Sequence, residues 1–177
     1  QDIAGCRIIV SDILEQDDVL EKLGRLFPKN RIVDRRLKPS FGYQAVHVIV
    51  EVVGYPIEIQ VRTTLQHAWA DYSQTLSDIL DPQIKYGGGP STMSEGLMEY
   101  STGIQEIEAL EKSTLIAIKE TDGFERLSLK QKIQSLNVIK QNIIISLTHA
   151  KGRTEGYQFG FKKGYEKGRE EFDDFLN

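Results

Sequence analysis

The chain has 177 residues, a formal net charge of -4, 40% hydrophobic side chains and 27% charged ones; this describes one soluble globular domain with appendages around a single continuous core, and excludes collagen-like and wholly disordered chains. Its longest purely apolar runs, such as Ile143 to Ile145, fall far short of the roughly 20 residues a membrane span needs, and residues 1–20 carry no basic-then-apolar leader, so a cytoplasmic protein with no membrane partner is expected. The lone Cys6 excludes an internal disulfide and a cysteine-built zinc site, which leaves oxygen and nitrogen ligands for any metal.

In chain order, Cys6 to Ser11 reads as a buried strand, and Gln16 to Phe27, with Val19, Leu20, Leu23 and Leu26 at helical spacing, reads as a helix stopped by Pro28. Arg31 to Leu37 is a strand running into the turn signal Lys38-Pro39-Ser40-Phe41-Gly42. Tyr43 to Val53 and Ile57 to Arg62 flank Gly54-Tyr55-Pro56 as a hairpin. Thr63 or Thr64 caps a helix from Leu65 to about Leu80, ended by Asp81-Pro82. After the break at Gly87-Gly88-Gly89-Pro90 come helical patterns over Met93 to Thr121 and Phe124 to about Ala150. All five prolines lie in the first 90 residues, so the chain divides into a β-containing part and a helical part. The expected organisation is a core over 1–80, helices packed on it over 81–150, and a Gly-repeat C-terminal helix over 151–177.

Charge is unevenly spread. Arg25, Lys29, Arg31, Arg35, Arg36 and Lys38 stand against Asp34, a stretch suited to phosphate, while residues 95–125 are strongly acidic. The hairpin adds a polar face. With a two-residue turn at Gly54-Tyr55, Val48, Val50 and Val52 would face Val61, Ile59 and Ile57, giving one aliphatic surface. The other surface carries Tyr43, His47 and Glu51 beside Glu58, Gln60 and Arg62, with His47 opposite Arg62 and Glu51 opposite Glu58. A solvated face is the ordinary explanation of such a surface. Two facing carboxylates repel, however, and a divalent cation such as Mg²⁺ would resolve the conflict, with Asp2 at the mouth of the first strand offering a further oxygen. Tyr43 follows Gly42 and offers a ring for stacking on a base. The residues alone therefore point to metal-assisted chemistry on a nucleotide.

Three segments in order, Asp2-Ile3-Ala4-Gly5-Cys6-Arg7, Lys38-Pro39-Ser40-Phe41-Gly42-Tyr43-Gln44-Ala45-Val46-His47 and Glu58-Ile59-Gln60-Val61-Arg62-Thr63 followed by His67-Ala68-Trp69-Ala70, resemble the RelA/SpoT-type synthetase domain. The likeness spans roughly residues 1–75, and the helices beyond resemble the compact small alarmone synthetases. It implies an α/β fold, a nucleotidyltransferase-like mixed sheet flanked by helices with a helical C-terminal part. It implies transfer of the β,γ-pyrophosphate of ATP to the 3′-hydroxyl of GDP or GTP, giving the (p)ppGpp of the stringent response. Asp2 and Glu58 would hold Mg²⁺, Glu58 would also accept the hydroxyl proton, and Tyr43 would stack on the acceptor base. Lys38, His47 and Arg62 are candidates for phosphate or ribose contacts, and Gln60 shares their face.

The likeness has two departures. The family turn is usually Lys-Pro-Asn-Gly-Tyr, whereas Lys38-Pro39-Ser40-Phe41-Gly42-Tyr43 is one residue longer and lacks the asparagine. The family's basic ATP-binding segment precedes the strand that begins at Asp2, so the resemblance implies either a donor segment upstream of Gln1 or a polypeptide that does not bind ATP in the family's manner. A non-catalytic nucleotide-binding or interaction module is the corresponding alternative. A second one comes from Asp34-Arg35-Arg36-Leu37-Lys38-Pro39-Ser40, which is similar to the acceptor loop of family toxins that pyrophosphorylate the 3′-CCA end of tRNA; Arg35 and Arg36 would then meet RNA phosphates.

Gly152, Gly156, Gly160, Gly164 and Gly168 recur every four residues with Tyr157, Phe161 and Tyr165 beside them. On a helix they form a stripe that another helix can approach, in a homo-oligomer or with an antitoxin, or else the segment is a frayed tail. Trp69 is expected to be a packing anchor, His67 a helix-surface or supporting group, Cys6 a buried strand residue and His149 solvated.

Overall fold

The computed structural model describes the backbone of residues 4–176, and side-chain environments through residue 159 and at 162 and 163. Four strands form one mixed sheet: β1 (Ala4–Val10), β2 (Arg31–Asp34), β3 (Val46–Val52) and β4 (Tyr55–Thr63) lie in the order β1-β4-β3-β2. β1 runs parallel to β4, and the other neighbours are antiparallel. The parallel pair requires a crossover, and the aliphatic stripe of α1 (Ile13–Leu26) lies within it. Asp12 caps α1 by accepting from the backbone N–H of Glu15 at 2.9 Å.

The alternation read from the sequence sorts the sheet into two faces. Val48, Val50, Ile59 and Val61 are buried with Leu23, and Ile8, Val19, Leu20 and Phe27 pack around them, so α1 seals the aliphatic face. A second core gathers Leu65, Trp69, Leu76, Ile84, Leu97, Ile104 and Leu147 from the helices α2 (Thr64–Ile79), α3 (Ser91–Glu120) and α4 (Gly123–Leu176) and the 3₁₀ turn Pro82–Tyr86. Two apolar clusters thus replace the single core expected from chain length. Thr63 caps α2 in a reciprocal capping box with Gln66, which fixes how the helix leaves the end of β4.

The hairpin turn differs from expectation. Val52 pairs with Tyr55, Val50 with Ile57 and His47 with Gln60, so the turn residues are Val53 and Gly54. Both have positive φ, 52° and 81°, and a turn of that hand matches strand twist with glycine in second place. The ladder is shifted by two residues from the expected register, and an even shift leaves every side chain on its expected face. The cross-strand partners change, however. Glu51 sits opposite Pro56 and Glu58 opposite Ile49, so the two carboxylates do not confront each other, and the case for a metal from their repulsion falls away.

Strand β2 stops at Asp34, short of the expected Leu37, and β3 starts at Val46, because Arg36 turns off the sheet to pair with Asp34 and Asp17. Cys6 is exposed, against the expected burial. α4 is one continuous helix of 54 residues, so the helical pattern expected to end near Ala150 and the helix expected after it are one element.

Candidate functional site

The polar face of the sheet carries five side chains joined in a closed hydrogen-bonded ring. His47 Nδ1 meets Glu58 Oε1, and His47 Nε2 lies 3.0 Å from the Tyr43 hydroxyl. That hydroxyl accepts from Arg62 Nη2 at 2.8 Å, Arg62 Nη2 also donates to Gln60 Oε1 at 2.7 Å, and Gln60 Nε2 donates to Glu58 Oε2 at 3.0 Å. With a neutral His47, the Tyr43 hydroxyl that accepts from Arg62 gives its own proton to Nε2, and Nδ1–H donates to Glu58. The ring follows from the register, because His47 stands opposite Gln60 and diagonal to both Glu58 and Arg62.

Arg62 is buried, its guanidinium lies 5.0 Å from the centroid of the Tyr43 ring, and its Nε has no hydrogen-bond partner among the described residues. Burial lowers its pKa, and burial likewise raises that of Tyr43, opposed by Arg62. His67, on the first turns of α2, has its pKa lowered by burial and by the positive charges of Arg7 and Arg62, and its Nδ1 is buried without a partner. These effects describe an electropositive floor on which anions are favoured.

The turn before Tyr43 is held with unusual closeness. Ser40 and Tyr43 exchange two backbone hydrogen bonds, 3.2 and 3.0 Å, around Phe41 and Gly42, whose φ values are 53° and 83°. A Cβ on Gly42 would lie 2.7 Å from Trp69 Cζ2, so glycine is required there for both space and conformation. The extra Phe41 of the lengthened turn lays its ring against Gly87, where a Cβ would come within 2.3 Å of it. Helix α3 fixes the turn from behind: Ser101 Oγ donates to the Gly42 carbonyl at 2.7 Å, Gln44 Nε2 donates to the Ser101 carbonyl at 2.8 Å, and Trp69 Nε1 donates to the Leu97 carbonyl at 2.8 Å. Trp69 is the packing anchor expected of it, and His149 is exposed.

Beside the ring lies a cavity of about 300 Å³ reached by Arg7, Tyr43, Arg62, Trp69 and Ser73. This is the size of a small-ligand site. The structure therefore brings Tyr43, His47, Glu58, Gln60 and Arg62 together. It does not bring the basic stretch to the same place. Arg35 and Lys38 line a separate open groove of about 810 Å³ with Phe41, Glu95 and Met98. Arg36 is spent on Asp17 and Asp34 at 2.6 and 2.7 Å, next to a third concavity. Asp2 lies outside the described residues. Ser73, weighed in the sequence with His67 and Asp71 for acid-base chemistry and set aside, and Arg7, quoted only within the first motif, are not among the expected site residues. The parallel register of β1 with β4, which sets Arg7 beside Gln60, and the spacing of Ser73 from Ala70 on α2 are the signals that find them.

Glu58 supplies carboxylate oxygens, the donor type Mg²⁺ prefers, and the described residues contain no group of three or more acidic, histidine or cysteine side chains arranged to hold a metal. A hard cation at Glu58 fits if phosphate oxygens and water complete its shell, the usual manner of Mg²⁺ in nucleotide sites.

The mixed α/β sheet thus sets a polar face holding Arg62 beside a cavity of about 300 Å³. The profile described as "Region found in RelA / SpoT proteins" matches residues 1–77, and the chain is similar to it over that part. Its fold is similar to two crystal structures of small alarmone synthetase 1 from Bacillus subtilis. The structure bound to its product pppGpp has a TM-score of 0.50 at 25% identity, covering 66% of this chain and 63% of that one. The other has a TM-score of 0.52 at 24% identity, covering 68% and 66%, and speaks for the fold alone. The uncharacterized proteins Rv1366 of Mycobacterium tuberculosis and Mb1401 of Mycobacterium bovis are each 36% identical over 101 residues, which is 55% of this chain and 37% of theirs. The chain thus spans little more than a third of the curated relatives it matches, and under two thirds of the solved ones.

Proposed function

We propose that this chain provides the acceptor pocket and catalytic face of a Mg²⁺-dependent pyrophosphotransferase acting from ATP onto the 3′-hydroxyl of GDP or GTP. The observation that carries the reading is the closed ring of Glu58, His47, Tyr43, Arg62 and Gln60 beside a purine-sized cavity. In the reaction the 3′-oxygen forms a bond to the β-phosphorus of ATP, the bond from that phosphorus to the α,β-bridging oxygen breaks, AMP leaves, and the hydroxyl proton passes to Glu58. Such transfers depend mainly on positioning and charge neutralisation. Tyr43 stacks on the base, His47 holds the Glu58 carboxylate in place, and Arg7 and Arg62 supply positive potential. Asp2 and Glu58 would hold Mg²⁺, which when bound neutralises phosphate charge. The pppGpp bound to the Bacillus subtilis relative supports a guanine nucleotide as ligand.

A second acceptor, the 3′ end of tRNA, is favoured by one observation: among the described residues Arg35 and Lys38 make no side-chain ion pair, and they line an open groove next to the acceptor turn. The deciding experiment incubates the protein with γ-labelled ATP and GDP, GTP or tRNA in parallel. Label in a guanine nucleotide is expected. Label in tRNA alone would give the second reading, and label in none would leave a non-catalytic nucleotide-binding module. Contact of the C-terminal helix with a second copy or an antitoxin belongs to the same proposal. It is supported by the open space in front of Gly152 and Gly156 and by exposed Tyr157 and Phe159; Gly160, Phe161, Gly164, Tyr165 and Gly168 have side-chain surroundings outside those described.

A further inference from the structure

The peptide between Gly42 and Tyr43 is held at both ends. The Tyr43 backbone N–H donates to the Ser40 carbonyl at 3.0 Å, and the Gly42 carbonyl accepts from Ser101 Oγ of α3 at 2.7 Å. Ser101 is 2% exposed and Gln44 3%, and Gln44 Nε2 donates to the Ser101 hydroxyl at 2.6 Å and to its carbonyl at 2.8 Å. One buried serine thereby ties α3 to the residues on either side of Tyr43.

This is not the bond that a helical serine ordinarily makes. Hydroxyls inside helices donate back to a carbonyl one turn earlier, as Thr102 does to Met98 at 3.0 Å, Thr114 to Leu110 at 2.7 Å and Thr148 to Ile144 at 2.8 Å. For Ser101 that carbonyl belongs to Leu97, and it accepts from Trp69 Nε1 at 2.8 Å instead. The single hydroxyl proton of Ser101 therefore goes to the turn. Packing presses the turn onto the same helix, since a Cβ on Gly42 would meet Trp69 Cζ2 at 2.7 Å, Ser101 Cβ at 3.2 Å and Met98 Sδ at 3.3 Å.

We infer that Ser101 is a positioning residue of the acceptor site: it holds the Gly42–Tyr43 peptide against α3 and so fixes where the Tyr43 ring stands, without touching the nucleotide. The inference rests on the guanine-acceptor reading above and adds the residue of the helical part that keeps Tyr43 in place. The Tyr43 hydroxyl must reach His47 and Arg62 while its ring faces the cavity, so both contacts depend on where the backbone of the turn is set. Removing the Ser101 hydroxyl strips the buried Gly42 carbonyl of this donor. Gln44 Nε2 still has the carbonyl of residue 101, so the loss falls on the turn and leaves the helix its own bonds.

The test is calorimetric titration of GDP into the 177-residue chain and into its Ser101→Ala and Thr114→Ala variants. Thr114 is the control, a buried hydroxyl further along α3 that bonds the Leu110 carbonyl of its own helix. Ser101→Ala is expected to bind GDP about three- to tenfold more weakly than the wild type, the worth of one neutral hydrogen bond, and Thr114→Ala to bind it as the wild type does. Trp69, the one tryptophan of the chain, supplies a spectroscopic readout because it packs on Gly42. Quenching of its fluorescence by iodide should rise in Ser101→Ala and stay at the wild-type level in Thr114→Ala. Equal weakening of GDP binding in both variants would assign Ser101 to general stability and overturn the inference. So would wild-type GDP affinity, or wild-type quenching, in Ser101→Ala. Absence of GDP binding to the wild type would instead bring down the acceptor reading and this inference with it.

Discussion

Glu58 occupies its place because two neighbours grip its two oxygens, His47 on one and Gln60 on the other, and each of these is steadied in turn by Tyr43 or Arg62. A carboxylate fixed this way is pre-oriented toward whatever proton or cation it meets, which is the role proposed for it. The charge around it is felt at His67. Burial, with Arg7 and Arg62, holds the His67 pKa below 6.5 in the folded chain, while the unfolded chain takes up the proton at that ordinary value. The unfolded state therefore binds more protons between the two values. This histidine's contribution to stability is intact above about pH 6.5, falls as pH drops toward the folded pKa, and changes no further below it. Thermal unfolding of the wild type and of His67→Gln between about pH 8 and about pH 5 should show a smaller acid-side loss for the variant. Parallel curves would contradict the lowered pKa.

At the scale of elements, the hairpin and the acceptor turn both place a bulky residue at positive φ. Val53, exposed, sits at φ 52°, a conformation that costs a β-branched residue about 1–2 kcal/mol. Val53→Asn, giving the favoured Asn-Gly turn, should stabilise the protein by about 1 kcal/mol in denaturant unfolding; no gain would mean that the turn is not of this hand. The same turn marks the limit of what was legible beforehand. Alternation of Val46, Val48 and Val50 against Ile57, Ile59 and Val61 fixed the faces, because period two is insensitive to a two-residue slip. Partners across the ladder were not legible, because Gly54 suits either the first or the second turn position and only strand twist and packing choose. The motif residues Tyr43, His47 and Glu58 were readable as a group. Arg36 was not separable from Arg35 by charge alone, since its partner Asp17 lies on α1.

Across the whole molecule, α4 spans about 80 Å and ties its upper half to the core with Leu136, Leu147 and Lys140. Lys140 Nζ reaches both oxygens of Glu111 on α3, at 2.7 and 2.8 Å, and the Ser11 carbonyl at 2.9 Å, so one cation joins α4, α3 and the end of β1. Breaking this buried pair from one side strands a charge. Lys140→Met should destabilise the protein by about 3–5 kcal/mol in urea unfolding, whereas Lys140→Met with Glu111→Leu should recover most of the loss; equal stability of the single and double variants would contradict a desolvated pair. Glu108, one turn along α3, accepts from Thr63 and from Gln66 at 2.9 Å, and burial raises its pKa. α3 thereby meets the start of α2, while Ser101 on the same helix holds the acceptor turn. The helical part is thus the mould in which the polar sheet face keeps its shape. The most direct test of that face as a reaction site is the rate at which label from γ-labelled ATP reaches GDP or GTP with wild-type protein and with Glu58→Gln. A loss of about a hundredfold or more in the variant, with guanine-nucleotide binding retained, is predicted; transfer at the wild-type rate would contradict the assignment of Glu58 and the reaction built on it.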